Sequence, residues 1–333
     1  MKFKNLMVLL PLFSYLQVLS QKESADIDTT QIPVQLILNM PKLFDIEYSY
    51  HSPVEQTFVS RDGDSFKTNS YNSRVLSMNL NYPLLQTTKG FRLMLSSQYS
   101  YFEMPGAELT TEQTSLTYPM PNHTSYARLS VLGSQRLKIG TRNLVLVSRL
   151  SMTGLQFWSL DQFTGIVSAS FPFKNTQQGS FAVGLFLLFP QSYYPFTVIP
   201  SFSYSKKLDN NFILDVSFPL HFQMHYLYND KFNIKGGCKL VQYGNLRYND
   251  VGYSSMDLDV FEPKFAFFGA SEMRLSKMVW LSAEMGYQRK LSSKVVEHGN
   301  NIDDYLYKSK SYGSFYGSVG LFLRPSFKKI LNR

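Results

Sequence analysis

Residues 279–290 read VWLSAEMGYQRK, a stretch in which apolar and polar side chains take turns. Because successive side chains of a β-strand point to opposite faces, alternation with a period of two predicts a strand with one apolar face and one polar face. The apolar face carries Val279, Leu281, Ala283, Met285 and Tyr287, and the other face carries Ser282, Glu284, Gln288 and Lys290.

The same alternation recurs in segments of about ten residues along most of the chain, a length that suits a transmembrane β-strand. Clear examples are residues 76–82, 91–96, 144–152 and 181–189. The pattern predicts an all-β fold, a closed antiparallel transmembrane β-barrel. We expect about 14 strands, with 12 as the second choice, since bacterial barrels have even strand numbers. A soluble β-sandwich would also alternate, but strand length and the uniform apolar face favour the barrel.

The connections between the predicted strands are of two kinds, short turns and longer polar segments. The short turns fall at residues 85–90, 138–143 and 174–179, and the longer connections at 53–70, 103–124, 244–257 and 292–311. Outer-membrane barrels have short periplasmic turns and longer extracellular loops. The pattern therefore predicts that the rim with the short turns faces the periplasm and that the rim with the longer connections faces the outside of the cell.

The N-terminus has the pattern of a secretory signal peptide. Lys2 and Lys4 precede an uncharged apolar run over residues 6–19, and Val18-Leu19-Ser20 suits cleavage before Gln21. We expect a signal peptide at 1–20, a periplasmic lead-in at 21–42, the barrel at 43–327 and a short basic tail at 328–333. The predicted location is the cell outer membrane.

The amino-acid composition limits the kinds of partner that the protein is expected to bind. Charged residues make up 17% of the chain, low for a soluble domain, and aromatic residues 15%. Tyrosines near strand ends suit the membrane interface, so outer-membrane lipids are the expected partners. The net charge is +9, but no basic run exceeds Lys328-Lys329, which argues against nucleic acid. The single cysteine, Cys238, excludes an internal disulfide.

Charged and histidine side chains fall on the polar strand faces, as a barrel interior requires. A Lys or Arg facing lipid at mid-membrane would cost about 2–4 kcal/mol. Their mixed signs leave two alternatives open: they line a water-filled pore, or they pair across the lumen and close it. Besides Asp45, the predicted lumen residues are Glu47, Arg92, Arg149, Asp215, His221, His225, Lys235, Lys239, Lys264, Glu272 and Glu284.

Motifs for catalysis or metal binding are weak. No serine lies in a G-x-S-x-G elbow. His221 and His225 share a strand face, but four residues of strand separate them by about 13 Å, too far for a shared metal. We therefore predict no enzyme activity, no cofactor and no metal. The expected function is a passive pore for a small polar solute, or a structural surface protein. The alternatives are a barrel enzyme acting on lipid or envelope polymer, and a loop-mediated receptor or adhesin.

The chain resembles the uncharacterised outer-membrane β-barrel families of Gram-negative bacteria. The likeness is carried by the signal ending before Gln21 and by proline next to aromatic strand residues, in Ile199-Pro200-Ser201-Phe202 and Ser217-Phe218-Pro219. The resemblance implies an outer-membrane barrel inserted by the barrel-assembly machinery, with no established substrate. The chain departs from many barrels at its end, where the aromatic Phe327 is followed by KKILNR.

Overall fold

The structure is a computed structural model. It describes residues 42–324 except 62, 70, 88–89, 112–116, 120–121, 141, 177, 190–196, 210, 243–245, 249–257, 298–299, 301 and 310–311. The predicted signal peptide, most of the lead-in and the basic tail lie outside the described residues and remain predictions. Among the described residues, none belongs to a helix with the length and hydrophobicity that a membrane span requires.

Fourteen strands form a closed antiparallel barrel, which confirms the predicted fold class and strand number. The barrel closes where the first strand pairs with the last, with Tyr48 opposite Val319. The barrel strands are β1 (Phe44–Val54), β4 (Tyr71–Gln86), β5 (Arg92–Glu103), β8 (His123–Ile139), β9 (Arg142–Gly154), β10 (Leu160–Asn175), β11 (Gly179–Phe189), β12 (Thr197–Lys207), β13 (Phe212–Phe218), β14 (His221–Leu227), β15 (Phe232–Gln242), β18 (Pro263–Arg274), β19 (Val279–Lys290) and β22 (Gly313–Leu323).

Short turns join the barrel strands at one rim, as predicted. Gly140 follows β8 with a φ of 59°, a left-handed conformation that glycine adopts without steric cost. Asn229 follows β14, and its side chain accepts hydrogen bonds from the backbone N–H groups of Lys231 and Phe232, both at 2.8 Å. This asparagine thus satisfies the turn amides locally. Following the predicted orientation, we call this rim periplasmic and the opposite rim extracellular.

The barrel strands have an apolar outer face and a polar inner face. On the outer face, Met285 is 72% exposed and Phe315 is 68% exposed. On the inner face, Ser100 and Ser130 are almost wholly buried by their neighbours. Because residues directly opposite in an antiparallel pair share a face, the strand register carries this division around the whole barrel.

The long extracellular connections contain strands of their own, which form a second sheet with the order β16-β17-β20-β21-β2-β3-β6-β7. We call this second sheet the loop sheet. The sequence predicted these connections as long and polar, but it did not predict their strands. The strands of the loop sheet are β2 (Thr57–Ser60), β3 (Ser65–Thr68), β6 (Glu108–Thr111), β7 (Thr117–Pro119), β16 (Leu246–Tyr248), β17 (Leu258–Phe261), β20 (Ser293–Glu297) and β21 (Tyr307–Ser309), with a 3-10 turn at Ile302–Asp304.

The loop sheet packs into the extracellular mouth of the barrel. Val260 of β17 and Val295 of β20 form one buried cluster with Val75, Phe102 and Tyr126, which face inward from β4, β5 and β8. Polar contact extends this packing, because Gln162 of β10 donates to the fully buried Asp259 of β17 at 3.2 Å. The β4–β10 side of the mouth is therefore covered from within.

The β13–β14 hairpin is the shortest part of the described barrel wall, with seven residues in each strand. Pairing between β12 and β13 stops at Phe202 opposite Phe218, so residues 197–201 of β12 extend beyond it. Lys207 donates to Gln178 on the β11 side and Leu208 to Phe212 on the β13 side. Even-numbered residues of β12 thus direct their N–H groups towards β13. Position 200 is the first even-numbered position of β12 that has no paired residue on β13. Proline suits this position because it has no backbone N–H that would be left without an acceptor.

Candidate functional site

The barrel lumen is the candidate site, and its inner face has two chemically different parts. The part formed by β1, β13, β14, β15, β18, β19 and β22 is called the charged wall. The part formed by β4, β5 and β8–β12 is called the serine wall. The predicted residues on the charged wall are Glu47, Asp215, His221, His225, Lys235, Lys239, Lys264, Glu272 and Glu284, and those on the serine wall are Arg92 and Arg149.

Near the periplasmic end of the charged wall, Glu272 collects three donors. Lys235 contacts its carboxylate at 2.9 Å, Arg324 at 3.2 Å and Asn233 at 3.4 Å. The Glu272 side chain is 4% exposed. Lys42, just before β1, lies within electrostatic reach, and burial lowers the pKa of its ammonium group. Because a buried carboxylate is stable only when paired, this cluster ties β15, β18 and β22 together.

Further along the same wall, Glu284 is held by Lys239 at 2.6 Å and by the Tyr316 hydroxyl at 2.8 Å. Glu47 of β1 has Glu284, Lys42 and Lys239 as its charged neighbours. The fold therefore brings together charged residues of β1, β15 and β19 that the sequence placed on one face, and the Tyr316 hydroxyl of β22 joins them.

Asp215 links two of the polar residues on β12 and β14. It accepts a hydrogen bond from Ser205 at 2.6 Å and contacts the His221 ring at 2.8 Å. The serine proton therefore goes to the carboxylate rather than to the histidine, so these three groups do not form a nucleophile next to a base. His225 does not join them, and its Nε2 is buried without a hydrogen-bond partner. Among the described residues, no group of three or more His, Cys, Asp or Glu is placed to hold a metal ion.

At the extracellular end, Glu262 lies between two lysines, at 2.5 Å from Lys290 and 3.7 Å from Lys264. Burial pushes the pKa of the Glu262 carboxyl upward, but the two ammonium groups outweigh burial and hold it below its usual range. Ser293 of the loop sheet donates to the same carboxylate at 3.3 Å. A cavity of about 70 Å³ adjoins this cluster and is also lined by His51. Glu262 thus connects the barrel wall to the loop sheet.

The ion pairs of the charged wall run along the wall. Lys235 and Glu272 lie on neighbouring strands, while Lys239 and Glu284 lie on strands separated by one other strand. Arg324, next to β22, reaches Glu272 across β19 in the same way. Of the two alternatives that the sequence left open, this geometry favours charges that line the lumen over charges that bridge it.

The serine wall is built from small hydroxyl side chains that bond to one another. Ser77 and Ser100 are 2.9 Å apart, and Ser130 and Ser151 are also 2.9 Å apart. Arg149, which was predicted, and Arg128, which sequence reasoning missed, lie on this wall beside the Ser130–Ser151 pair. Arg128 was missed because its strand face also carries Tyr126 and Leu132, so the alternation is blurred there.

A closed antiparallel barrel with an apolar exterior and a polar, charged interior is the architecture of a transmembrane β-barrel. No protein-family model matches the chain, and no curated protein matches it. Among solved structures, it is similar to an outer-membrane channel from Pseudomonas putida F1, with 10% identity over 90% of this chain and 99% of the other, at a TM-score of 0.36.

The chain is also similar to the transport unit of the autotransporter AIDA-I from Escherichia coli, with 10% identity, coverage of 94% and 97%, and a TM-score of 0.30. A third similarity is to the outer membrane protease OmpT from Escherichia coli, with 8% identity, coverage of 84% and 96%, and a TM-score of 0.30.

Proposed function

We propose that this protein is a non-catalytic channel of the outer membrane, which passes small polar solutes through the barrel and is narrowed at its extracellular mouth by the loop sheet. The chain is exported by the cleaved signal peptide and inserted by the barrel-assembly machinery. The observation that carries the proposal is the direction of the ion pairs, which follow the inner wall instead of crossing the lumen.

The size of the barrel supports an open interior. Fourteen strands spaced about 4.8 Å apart and tilted by about 40° enclose a cylinder about 28 Å across between backbones. Facing sheets whose side chains interdigitate lie only about 10 Å apart. Side chains from opposite walls of a round 14-stranded barrel therefore leave room for water between them.

The loop sheet supplies the constriction. Its buried contacts with Val75, Phe102 and Tyr126 fix it against the serine wall, and Glu262 joins it to the charged wall. A sheet held at both sides of the mouth restricts the size of a passing solute without closing the barrel below it.

Single-channel recording in planar bilayers tests the proposal. The refolded protein should give discrete, voltage-independent openings in potassium chloride. A variant in which residues 293–309 are replaced by a short Gly-Ser linker removes β20 and β21 and should conduct severalfold more. Silence of both proteins, each shown to be folded by its heat-dependent migration on a gel, would rule out the channel.

A second candidate function, a loop-mediated receptor or adhesin, is favoured by one observation, the ordered sheet at the extracellular rim. It makes a different prediction for the same linker variant, which should lose cell or ligand binding while its conductance stays unchanged.

A further inference from the structure

Arg128 and Arg149 differ from the charged residues of the opposite wall because neither contacts a carboxylate among the described residues. Arg149 donates from Nε and Nη2 to the Ser130 hydroxyl, both at 3.3 Å. Arg128 donates from Nη2 to the Gln98 side chain, and its guanidinium lies 5.4 Å from the Tyr126 ring centre. Lysines 235, 239 and 290, by contrast, each contact a glutamate within 3 Å.

The two arginines have more N–H donors than the described side chains around them have free acceptors. Each guanidinium carries five N–H donors and no acceptor. The Nε of Arg128 is buried with no hydrogen-bond partner. Ser130, the acceptor for Arg149, is itself 1% exposed and bonded to Ser151, so it has little capacity left. The surrounding groups are thus acceptor-poor, which is the composition of an anion site.

The electrostatics point the same way. The two arginines lie within electrostatic reach of each other, and the charged neighbours of Arg149 include no acidic side chain. Two like charges held together in a partly desolvated wall repel one another unless a counter-ion is present. Both side chains are partly exposed, so a solute in the lumen can reach them.

The position of the pair suits a solute on its way through the barrel. Arg128 lies two residues below Tyr126, and Tyr126 contacts the loop sheet. The pair therefore lies directly beneath the constriction, facing the part of the lumen that continues to the periplasmic rim. Planar guanidinium groups pair with carboxylate or phosphate oxygens through two parallel hydrogen bonds.

We propose that Arg128 and Arg149, with the neighbouring serine hydroxyls, form a binding site for small oxyanions such as phosphate or a carboxylate, and that this site makes anions the preferred cargo. The inference deepens the proposed channel function, although binding at the site does not require current to flow.

Binding is tested on the refolded protein in detergent with inorganic phosphate and, separately, acetate as probes. Saturable binding, measured by calorimetry and by the rise in unfolding temperature, should occur in the wild type. Arg128→Gln/Arg149→Gln should weaken it at least about tenfold, because charge-assisted hydrogen bonds are lost. The matched control Arg74→Gln removes the same charge at the extracellular end of β4, beside Glu103, and should leave binding unchanged.

Arg149→Lys keeps the charge but loses the planar pair of donors, so it serves if the double variant does not fold, and it should weaken binding severalfold. Phosphate dependence that is the same in wild type, Arg149→Lys and any folded Gln variant would overturn the site, as would weakening of the same size in Arg74→Gln. Binding without conductance would refute the channel and keep the site. Conductance without saturable binding would refute the site and keep the channel.

Discussion

Glu272 offers the sharpest test of the ion-pair argument, because its carboxylate is buried and receives Lys235, Arg324 and Asn233 within 3.4 Å. Glu272→Gln keeps the shape of the side chain and removes its charge. Two cations are then left in the wall without their carboxylate. Breaking a buried pair by removing one partner costs about 3–5 kcal/mol, so we expect a loss of stability in this range.

The assay is equilibrium unfolding by urea of the barrel refolded in lipid vesicles, followed by tryptophan fluorescence. Trp280 reports on this region directly, since its ring stacks on Phe322 at 6.0 Å and lies 5.3 Å from the Arg324 guanidinium. The matched control is Glu103→Gln, which neutralises the partner of Arg74 in a pair that is 44% exposed on both sides. Exposed pairs contribute about 0–1 kcal/mol, so this variant should unfold almost as the wild type does.

Equal losses of stability in the two variants would contradict this expectation, because the larger cost at Glu272 comes from the burial of the charge and not from the charge alone. A double-mutant cycle with Lys235→Met adds a second check. If Lys235 and Glu272 interact as their distance indicates, the two substitutions together should cost less than the sum of each alone.

Three further predictions concern the register, the mouth and its pH dependence. Val319→Lys puts a charge on the outer face of β22 and should lower the free energy of unfolding by about 2–4 kcal/mol in the same assay. Ser318→Lys, one residue earlier on the inner face, should lower it far less, and the opposite order would mean that the faces are assigned wrongly. Val295→Ala removes two buried methyl groups of the loop sheet, which contribute about 1–2 kcal/mol of stability. The variant's loop sheet should be cleaved more readily by proteases while its barrel stays resistant. Unchanged cleavage would show that the buried cluster does not hold the sheet in place. The folded-state pKa of Glu262 lies below the usual value of 4.5, so its contribution to stability is fully present above that value and is lost as the pH falls through the folded pKa. The protease sensitivity of the loop sheet should therefore stay constant from neutral pH down to 4.5 and rise only at lower pH. Glu262→Gln should remove this pH dependence.

The barrel itself could be predicted because each barrel strand carries its own evidence. The alternation of apolar and polar side chains over residues 279–290 predicts both that the segment is a strand and which side chains face lipid. Closure with 14 strands followed from counting such segments, since a barrel leaves no edge unpaired. The turn predicted over residues 138–143 was also recognisable, because Gly140 adopts the left-handed backbone of a tight turn without steric cost.

The loop sheet could not be predicted in the same way. Its strands have three to five residues, too few for alternation to show, and they pair with strands far away in sequence, such as Phe58 opposite Ser309. The ion pairs were half predictable. Face assignment placed Lys239 and Glu284 in the lumen, but only the strand order β15-β18-β19 brings them within 2.6 Å.

The short β13–β14 hairpin has a consequence for the surrounding bilayer. Seven residues extend about 24 Å, which at a tilt of about 40° gives about 18 Å of height, less than the apolar band of about 25 Å typical of such barrels. Lipids beside this hairpin must shorten or tilt their acyl chains, at a cost of a fraction of a kcal/mol per ångström of mismatch. Each copy of the protein therefore thins the membrane locally, in a dimple on the side of this hairpin. Two copies that meet with their dimples together deform less lipid than two copies apart, so the membrane itself gives the barrels a preferred way to face each other.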